Sequence, residues 1–511
     1  MSQDNRARLK QWLESGQARL QPVTFPQREL WEASAVPVAD VSNHICAFIN
    51  VRGTITFQDC ETAVQRVLER QEVLRLSFLP GKGQPVQMIR TTGAPMMRFR
   101  ELSSAQRSPE AIEELTRETF SEPFDLVQGP LYRVEILRRA PDELVLVLAI
   151  HHAIADGWTL GVFVQDLCAA HVQGLRGVRG ALPPVPMSYT AWGAAERAFW
   201  QPAELDKRAA FWKSRLAGTR RLWSTHEAAS DELHRWVSGV PADLARAVRE
   251  LARRTSTTLF STLLAAFQHT LSEWTGAEDI LVGTPVANRT RQAGRETMGY
   301  FAGIVPLRGH VDRNRAFADR LREVHQSTVD SFANAMPFAE LARALGDSPS
   351  PGRNPIFDVR FALQNHPIPD VDLPGMSAKL RMRSTGTARF SLGCEITEDG
   401  AAMEVVWLCR RSLFSQTEIE DLDRQFLVVL ANVCRSPERG AVAFSTTGSG
   451  ARSGAVSSTR FQPVGKAGVP PALPLSTVDP APPLRRQDAR FTHSQDGCAT
   501  IAPEPFPGQL R

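Results

Sequence analysis

The chain lacks any apolar run of the ~18 to 20 residues that a membrane-spanning helix requires. Its first 17 residues are charged and have no apolar core of the kind a secretion signal carries. A cytoplasmic protein with no membrane partner is the expectation. Cysteine is scarce: seven in 511 residues, an odd number, widely scattered and without a C-x-x-C pair. That pattern argues against a disulfide framework and for free, buried or unreactive thiols in a reducing compartment. No G-x-x-x-x-G-K-[ST] loop is present to cradle phosphates, and no G-x-S-x-G elbow to raise a nucleophilic serine.

A strong charge of one sign is missing as well. The net charge is +4, and residues 435–511 hold nine Lys/Arg against five Asp/Glu, a surplus of four, so the remainder is neutral. The same segment holds 11 of the 35 prolines, including Pro470-Pro471 and Pro482-Pro483, and shows no apolar periodicity. Such a composition buries too little apolar surface to offset the entropy of ordering it, which predicts a disordered tail over 436–511. With the surplus confined there, and no basic helix or aromatic–basic interleaving elsewhere, a nucleic-acid partner is not expected.

What is present centres on one stretch. Leu144-Val145-Leu146-Val147-Leu148-Ala149-Ile150 lacks the polar alternation of a half-exposed strand, so both its faces should be covered. It runs into His151-His152-Ala153-Ile154-Ala155-Asp156-Gly157. A histidine held rigidly at the mouth of a buried strand titrates near neutral pH. General-base work asks for that pKa and a fixed position. A shared metal ion is disfavoured, because adjacent residues of an extended strand point to opposite faces and no further His/Cys cluster completes a site. Asp156 suits the N-cap of a following helix. Gly157, without a Cβ, either turns the chain tightly or brings its N–H close to a substrate oxyanion.

Around this stretch, strands are expected at 47–51, 131–137, 143–150, 279–285, 359–363 and 403–408. Helices are expected at 6–14, 59–70, 160–173, 244–253, 259–275 and 316–332. Gly174 to Pro186 carries three glycines and three prolines and suggests a connection between two lobes. Helices alternating with strands in two similar halves indicate α/β layers. The predicted organisation is an N-terminal helical or docking segment at 1–17, an N-terminal lobe at 18–180, a C-terminal lobe at 181–435 and the tail.

The pattern H-H-x-x-x-D-G resembles the signature of condensation domains from nonribosomal peptide assembly lines, within the chloramphenicol-acetyltransferase-like superfamily. Other segments are similar to that family's motifs in the same order. Thr24-Phe25-Pro26-Gln27-Arg28-Glu29-Leu30-Trp31 resembles the opening motif. Arg70 to Phe78 resembles the second, with Gln71 where a His is usual. Ser188-Tyr189-Thr190-Ala191-Trp192 resembles the fourth, and Met298-Gly299-Tyr300-Phe301 running to Arg308 the fifth. Met336 to Leu341 and Arg353 to Phe357 match the last two.

The resemblance implies two acetyltransferase-like lobes in a V-shaped pseudo-dimer with a central tunnel. It also implies a monomeric acyltransferase that uses no bound cofactor. A carrier protein's phosphopantetheine arm would deliver the donor acyl group as a thioester to an amine or alcohol, yielding an amide or ester in peptide or hybrid polyketide biosynthesis. His152 inherits the role of general base or orienting group, with His151 packed behind it. Asp156 inherits an ion pair with an arginine of the second lobe, for which Arg289 is the candidate. Trp158, Tyr300 and Ser391 are candidates for lining the tunnel. Ser391 stands where an Asp is common. With no adenylation or carrier segment after residue 435, a free-standing enzyme acting in trans is expected. The alternatives are a non-catalytic recruiting module, an acyl-CoA-dependent acyltransferase and an epimerisation domain.

Overall fold

A computed structural model describes residues 10–33, 41–81, 84–178, 180–223, 233–289, 292–347, 354–364, 371–373, 376–383 and 390–439. The expected tail and the segment 1–9 lie outside the described residues, apart from 436–439 at the tail's start.

The architecture is α/β, built on two six-stranded sheets and a small three-stranded one. In the first large sheet the order is Val371–Leu373, Met376–Arg383, His44–Gly53, Glu143–His151, Tyr132–Ala140 and Met97–Glu101. Neighbours are antiparallel except at the Met97–Glu101 edge, which runs parallel to its partner. The strand Glu143–His151 is interior to this sheet, and Leu144 to His151 are each 2 % exposed or less. Its unbroken apolar run is thus the signature of a strand covered on both faces. Each of its buried Leu, Val and Ile side chains contributes roughly 1.5–3 kcal/mol relative to an exposed position. Two helices, Phe57–Arg70 and Gly157–Leu175, pack against one another in this lobe. The first buries Cys60, Ala63, Val64, Val67 and Leu68, the face that its sequence spacing marks.

The second sheet runs Gly303–His310, Asp279–Val286, Val359–Gln364, Leu392–Asp399, Ala402–Arg410 and Leu233–Val240. Val359–Gln364 is parallel to both neighbours, and the other pairs are antiparallel. The helix Leu259–Thr275 lies inside the second lobe, covered on every side over most of its length. Every residue from Phe260 to Ser272 is buried, because Ala242–Arg254, Phe317–Ala333 and Gln416–Arg435 all pack on it. Several of its polar members find partners inside. Both terminal nitrogens of Arg320 lie 3.1 Å from His269 Nδ1, and the Thr270 hydroxyl donates back to the Ala266 carbonyl at 2.9 Å.

The expected division at 180/181 does not follow the cores. Tyr189, Met298, Tyr300, Phe301, Met376, Ala378 and Leu380 all belong to the first core, although each lies beyond residue 181. Met376–Arg383 pairs antiparallel with His44–Gly53 and extends the first sheet. Backbone groups at a sheet edge need partners, and a strand from the second half supplies them. The second half of the chain therefore lends the first core residues around 189, 298–301 and 376–380, and a single cut in the sequence cannot separate the lobes.

All six described cysteines are free, and burial pushes the Cys46, Cys60 and Cys409 thiols up to about 12. No helix among the described residues is long and apolar enough to cross a membrane.

Candidate functional site

The strand Glu143–His151 ends at the first histidine of the signature and passes into a short 3-10 turn, His152–Ile154. The change of backbone separates the two imidazoles. His151 points into the core at 1 % exposure, where its Nδ1 accepts the Ala153 amide at 3.1 Å and its ring meets the edges of His44 and Phe124. His152 remains half-buried, its ring packed edge-on to Tyr300 with centroids 4.5 Å apart.

Asp156 suits two roles, helix cap and ion-pair organiser, and the structure gives it both. It is the N-cap of Gly157–Leu175, accepting the Thr159 N–H at 2.9 Å in a reciprocal capping box. The same carboxylate receives Arg289 Nη2 at 3.0 and 3.2 Å and the Phe301 N–H at 3.2 Å. Asp156 is 3 % exposed and Arg289 4 % exposed, so the pair is out of water. The other terminal nitrogen of Arg289 donates to the carbonyls of Gly294 and Thr297, at 2.8 and 2.6 Å. The guanidinium carbon lies 3.9 Å from the centre of the Phe301 ring. One arginine therefore fixes both the helix start and the loop that carries Tyr300.

That loop is held from the other side by Thr159. Its hydroxyl lies 2.9 Å from both Asp156 Oδ1 and the Gly299 carbonyl, and it accepts the Gly299 N–H at 3.1 Å. Gly299 has φ +156°, and a Cβ there would fall 2.3 Å from the Tyr189 ring, so no larger residue fits. Gln71, the departure from the family's usual histidine, is fully engaged. Its amide nitrogen donates to Asp166 at 2.7 Å and the Glu296 carbonyl at 2.9 Å, and its oxygen accepts the Met298 N–H at 2.9 Å. A glutamine can donate twice and accept on one side chain, which this position uses to strap the 296–298 loop to the first lobe.

Gly157, Trp158 and Ser391 take different places. Gly157 opens the helix, and its N–H is one of the first-turn donors that have no intrahelical acceptor. Trp158 anchors the lobes: its indole N–H donates to the Arg295 carbonyl at 2.9 Å. Ser391 lies at the start of Leu392–Asp399 in the second lobe, 4 % exposed, with backbone bonds to Asp358 and Arg410 of the same lobe. A cavity of about 520 Å³ in the second lobe, lined by Lys213, Arg221, Asp347 and Ile356, includes none of these residues. No group of three or more metal-ligating side chains occurs among the described residues.

Sequence reasoning missed the support beneath His152. Gln27 of the opening helix Phe25–Ala33 donates from Nε2 to the Ala153 carbonyl at 3.0 Å. The Tyr189 hydroxyl donates to the Tyr300 carbonyl at 2.9 Å. Both residues sit in motifs visible in the sequence, but contacts spanning 126 and 111 positions leave no periodic trace.

The family model for the condensation domain matches residues 17–450. Tyrocidine synthase 3 of Brevibacillus parabrevis is 30% identical over 428 residues, 81% of this chain and 6% of that protein. Phosphinothricin tripeptide synthetase PhsC of Streptomyces viridochromogenes is 28% identical over 431 residues, 81% of this chain and 39% of that protein. The chain thus spans well under half the length of these relatives. Among solved structures, the first condensation domain of the calcium-dependent antibiotic synthetase superposes with a TM-score of 0.72 at 18% identity, covering 83% of this chain and 98% of that one. SgcC5 from Streptomyces globisporus gives a TM-score of 0.70 at 21% identity, covering 82% of this chain and 100% of its own. The two-lobed fold and the family model agree over more than four fifths of the chain, which belongs to the condensation domain family of nonribosomal peptide synthesis.

Proposed function

We propose that this protein transfers an acyl group from a carrier-protein phosphopantetheine thioester to an amine or alcohol, with His152 at the reacting centre. One observation carries the reading. Of the four charged or titratable groups gathered at the signature, His151, Asp156 and Arg289 are buried, and His152 alone keeps an accessible face. A group that must meet a substrate has to be reachable, and its supports gain by being locked.

The acceptor nitrogen or oxygen attacks the thioester carbonyl while the His152 imidazole takes or orients its proton. The tetrahedral oxyanion forms beside the start of the helix, where the Gly157 N–H and the positive end of the helix dipole favour negative charge. Collapse breaks the carbon–sulfur bond, and the proton passes to the departing thiolate. The products are an amide or ester and the free thiol of the arm. The arm is part of the substrate, and no resident cofactor enters any step. Asp156 and Arg289 stay paired throughout and hold the helix start against the Tyr300 loop. Holding donor and acceptor together supplies a further part of the acceleration.

Intact-protein mass spectrometry of an acyl-loaded carrier, mixed with this protein and a pool of small amines and alcohols, tests the reading. Acyl unloading with a new amide or ester is expected, falling about 10²- to 10⁴-fold in His152→Ala. Unloading that persists in the variant removes His152 from the centre. Transfer from acyl-CoA in preference to the carrier thioester changes the donor, and absence of any transfer favours a recruiting module.

A further inference from the structure

We propose that Gln27 is a positioning residue for His152, an inference that rests on the acyl-transfer reading above. His152 lies past the last residue of its strand, in a turn of three residues that no ladder holds. Something else has to fix the direction in which its side chain leaves the backbone. Gln27 is 2 % exposed, and its Nε2 donates to the Ala153 carbonyl, the acceptor immediately after His152, at 3.0 Å. Its Oε1 accepts the Thr24 N–H at 3.0 Å, and its Nε2 also lies 3.2 Å from Gln87 Oε1. Gln87 is completely buried and donates its own amide nitrogen to the Pro22 carbonyl at 2.7 Å.

These partners allow the Gln27 amide one orientation. Flipped, its oxygen would face two acceptors, the Ala153 carbonyl and Gln87 Oε1, and its nitrogen would face the Thr24 N–H. The bond to Ala153 thus fixes the Ala153–Ile154 peptide plane, one residue beyond His152 and within the same three-residue turn. The same segment also controls the other side of the imidazole. The Thr24 hydroxyl lies 3.0 Å from the Tyr189 hydroxyl, which donates to the Tyr300 carbonyl, and the Tyr300 ring packs on His152. Residues 24 and 27 therefore hold both the backbone under the imidazole and the ring against it. The helix that carries Gln27 is in turn tied to the second lobe by the ion pairs Arg28–Glu340 and Arg343–Glu32. Both lobes thereby set the place of His152.

The test uses the full-length protein with histidine ¹³C-labelled at Cε1 and the His152 signal assigned through His152→Gln. Gln27→Met keeps the volume and removes the bond. It is expected to shift or split the His152 signal and to lower kcat about 10- to 100-fold, as misplacement of a reacting group by ~1 Å does. The KM for the acyl carrier should change by less than about twofold, since uniform binding is left intact. Gln87→Leu, which loosens the amide without touching Ala153, should give a smaller change in the same direction, and it carries the test if Gln27→Met fails to fold. A folded Gln27→Met with the wild-type His152 signal overturns the proposal, whether or not its thermal stability has fallen. If the wild-type protein transfers no acyl group, the functional reading falls, and the His152 signal still decides the positioning role.

Discussion

Each lobe contains an antiparallel hairpin that turns into a long capped helix, and the two units differ in where their polar groups go. In the first, Tyr132–Ala140 and Glu143–His151 lead to Gly157–Leu175, capped by Asp156. In the second, Leu392–Asp399 and Ala402–Arg410 lead to Gln416–Arg435, capped by Ser415. Both caps form a reciprocal box with the residue three positions on, Thr159 in one case and Glu418 in the other. The Ser415 box is exposed and complete in itself. The Asp156 box is buried and has a carboxylate oxygen to spare, which Arg289 and the Phe301 N–H take. Further along the helices the contrast recurs. Asp423 accepts from Trp407, Trp236 and Ser238, all of its own lobe, whereas Asp166 is bound by Arg70 and by Gln71, which also grips the 296–298 loop. The same supersecondary unit thus serves as plain scaffold when its polar groups close on themselves, and as a site when they reach across the lobes.

The largest expected effect comes from breaking that reach. Asp156→Ala should destabilise the protein by about 3–5 kcal/mol, since it leaves the Arg289 guanidinium buried without its carboxylate. Adding Arg289→Met should return part of the loss, because no orphaned charge remains. Urea unfolding of the two single variants and the double variant measures the coupling, and simple additivity would show that the pair does not act as a unit.

A pH titration sharpens the contrast next. Glu196 accepts the Phe25 N–H at 3.1 Å at the start of the opening helix, and burial pushes its carboxyl up to about 8, with that hydrogen bond and Arg197 opposing. A carboxyl whose pKa is raised in the folded state favours folding while it is protonated. Its contribution is complete below about 4.5, the value for the free group, and is lost as pH rises through about 8. Stability should therefore decline across this window, and Glu196→Gln should flatten the slope in thermal melts recorded from about pH 5 to about pH 9. A slope unchanged in the variant would assign the decline elsewhere. The smallest effect belongs to the second lobe's cap: Ser415→Ala should cost about 1 kcal/mol in the same melts and leave acyl transfer untouched.

Much of this was legible in the sequence because the signals were local. The run Leu144 to Ile150 announced an interior strand, and the spacing of Ala63, Val64, Val67 and Leu68 announced a helix face, since burial repeats with the period of the backbone. Asp156 and Arg289 could be paired only through the family resemblance, and the structure supplies the contact. Gln71 looked like a departure from pattern, yet it makes three hydrogen bonds that a histidine, with two ring nitrogens, could not all make. Trp158 and Ser391 stand in the sequence as candidates for lining the tunnel, and the structure adds that the Trp158 indole donates to the Arg295 carbonyl and that Ser391 is buried at the start of Leu392–Asp399. The strand Met376–Arg383 was missed, because its place in the first sheet depends on an edge at His44–Gly53, far earlier in the chain.

The sequence by itself determined the two α/β halves, the strand that ends in His151-His152 and the cap at Asp156. Each depends on the order of polar and apolar residues within a few turns of chain. Only the tertiary structure decided which loop packs on His152 and which amide holds its turn in place. Those outcomes rest on hydrogen bonds and ring contacts between residues more than 100 positions apart, and such contacts form only when both lobes have closed around them.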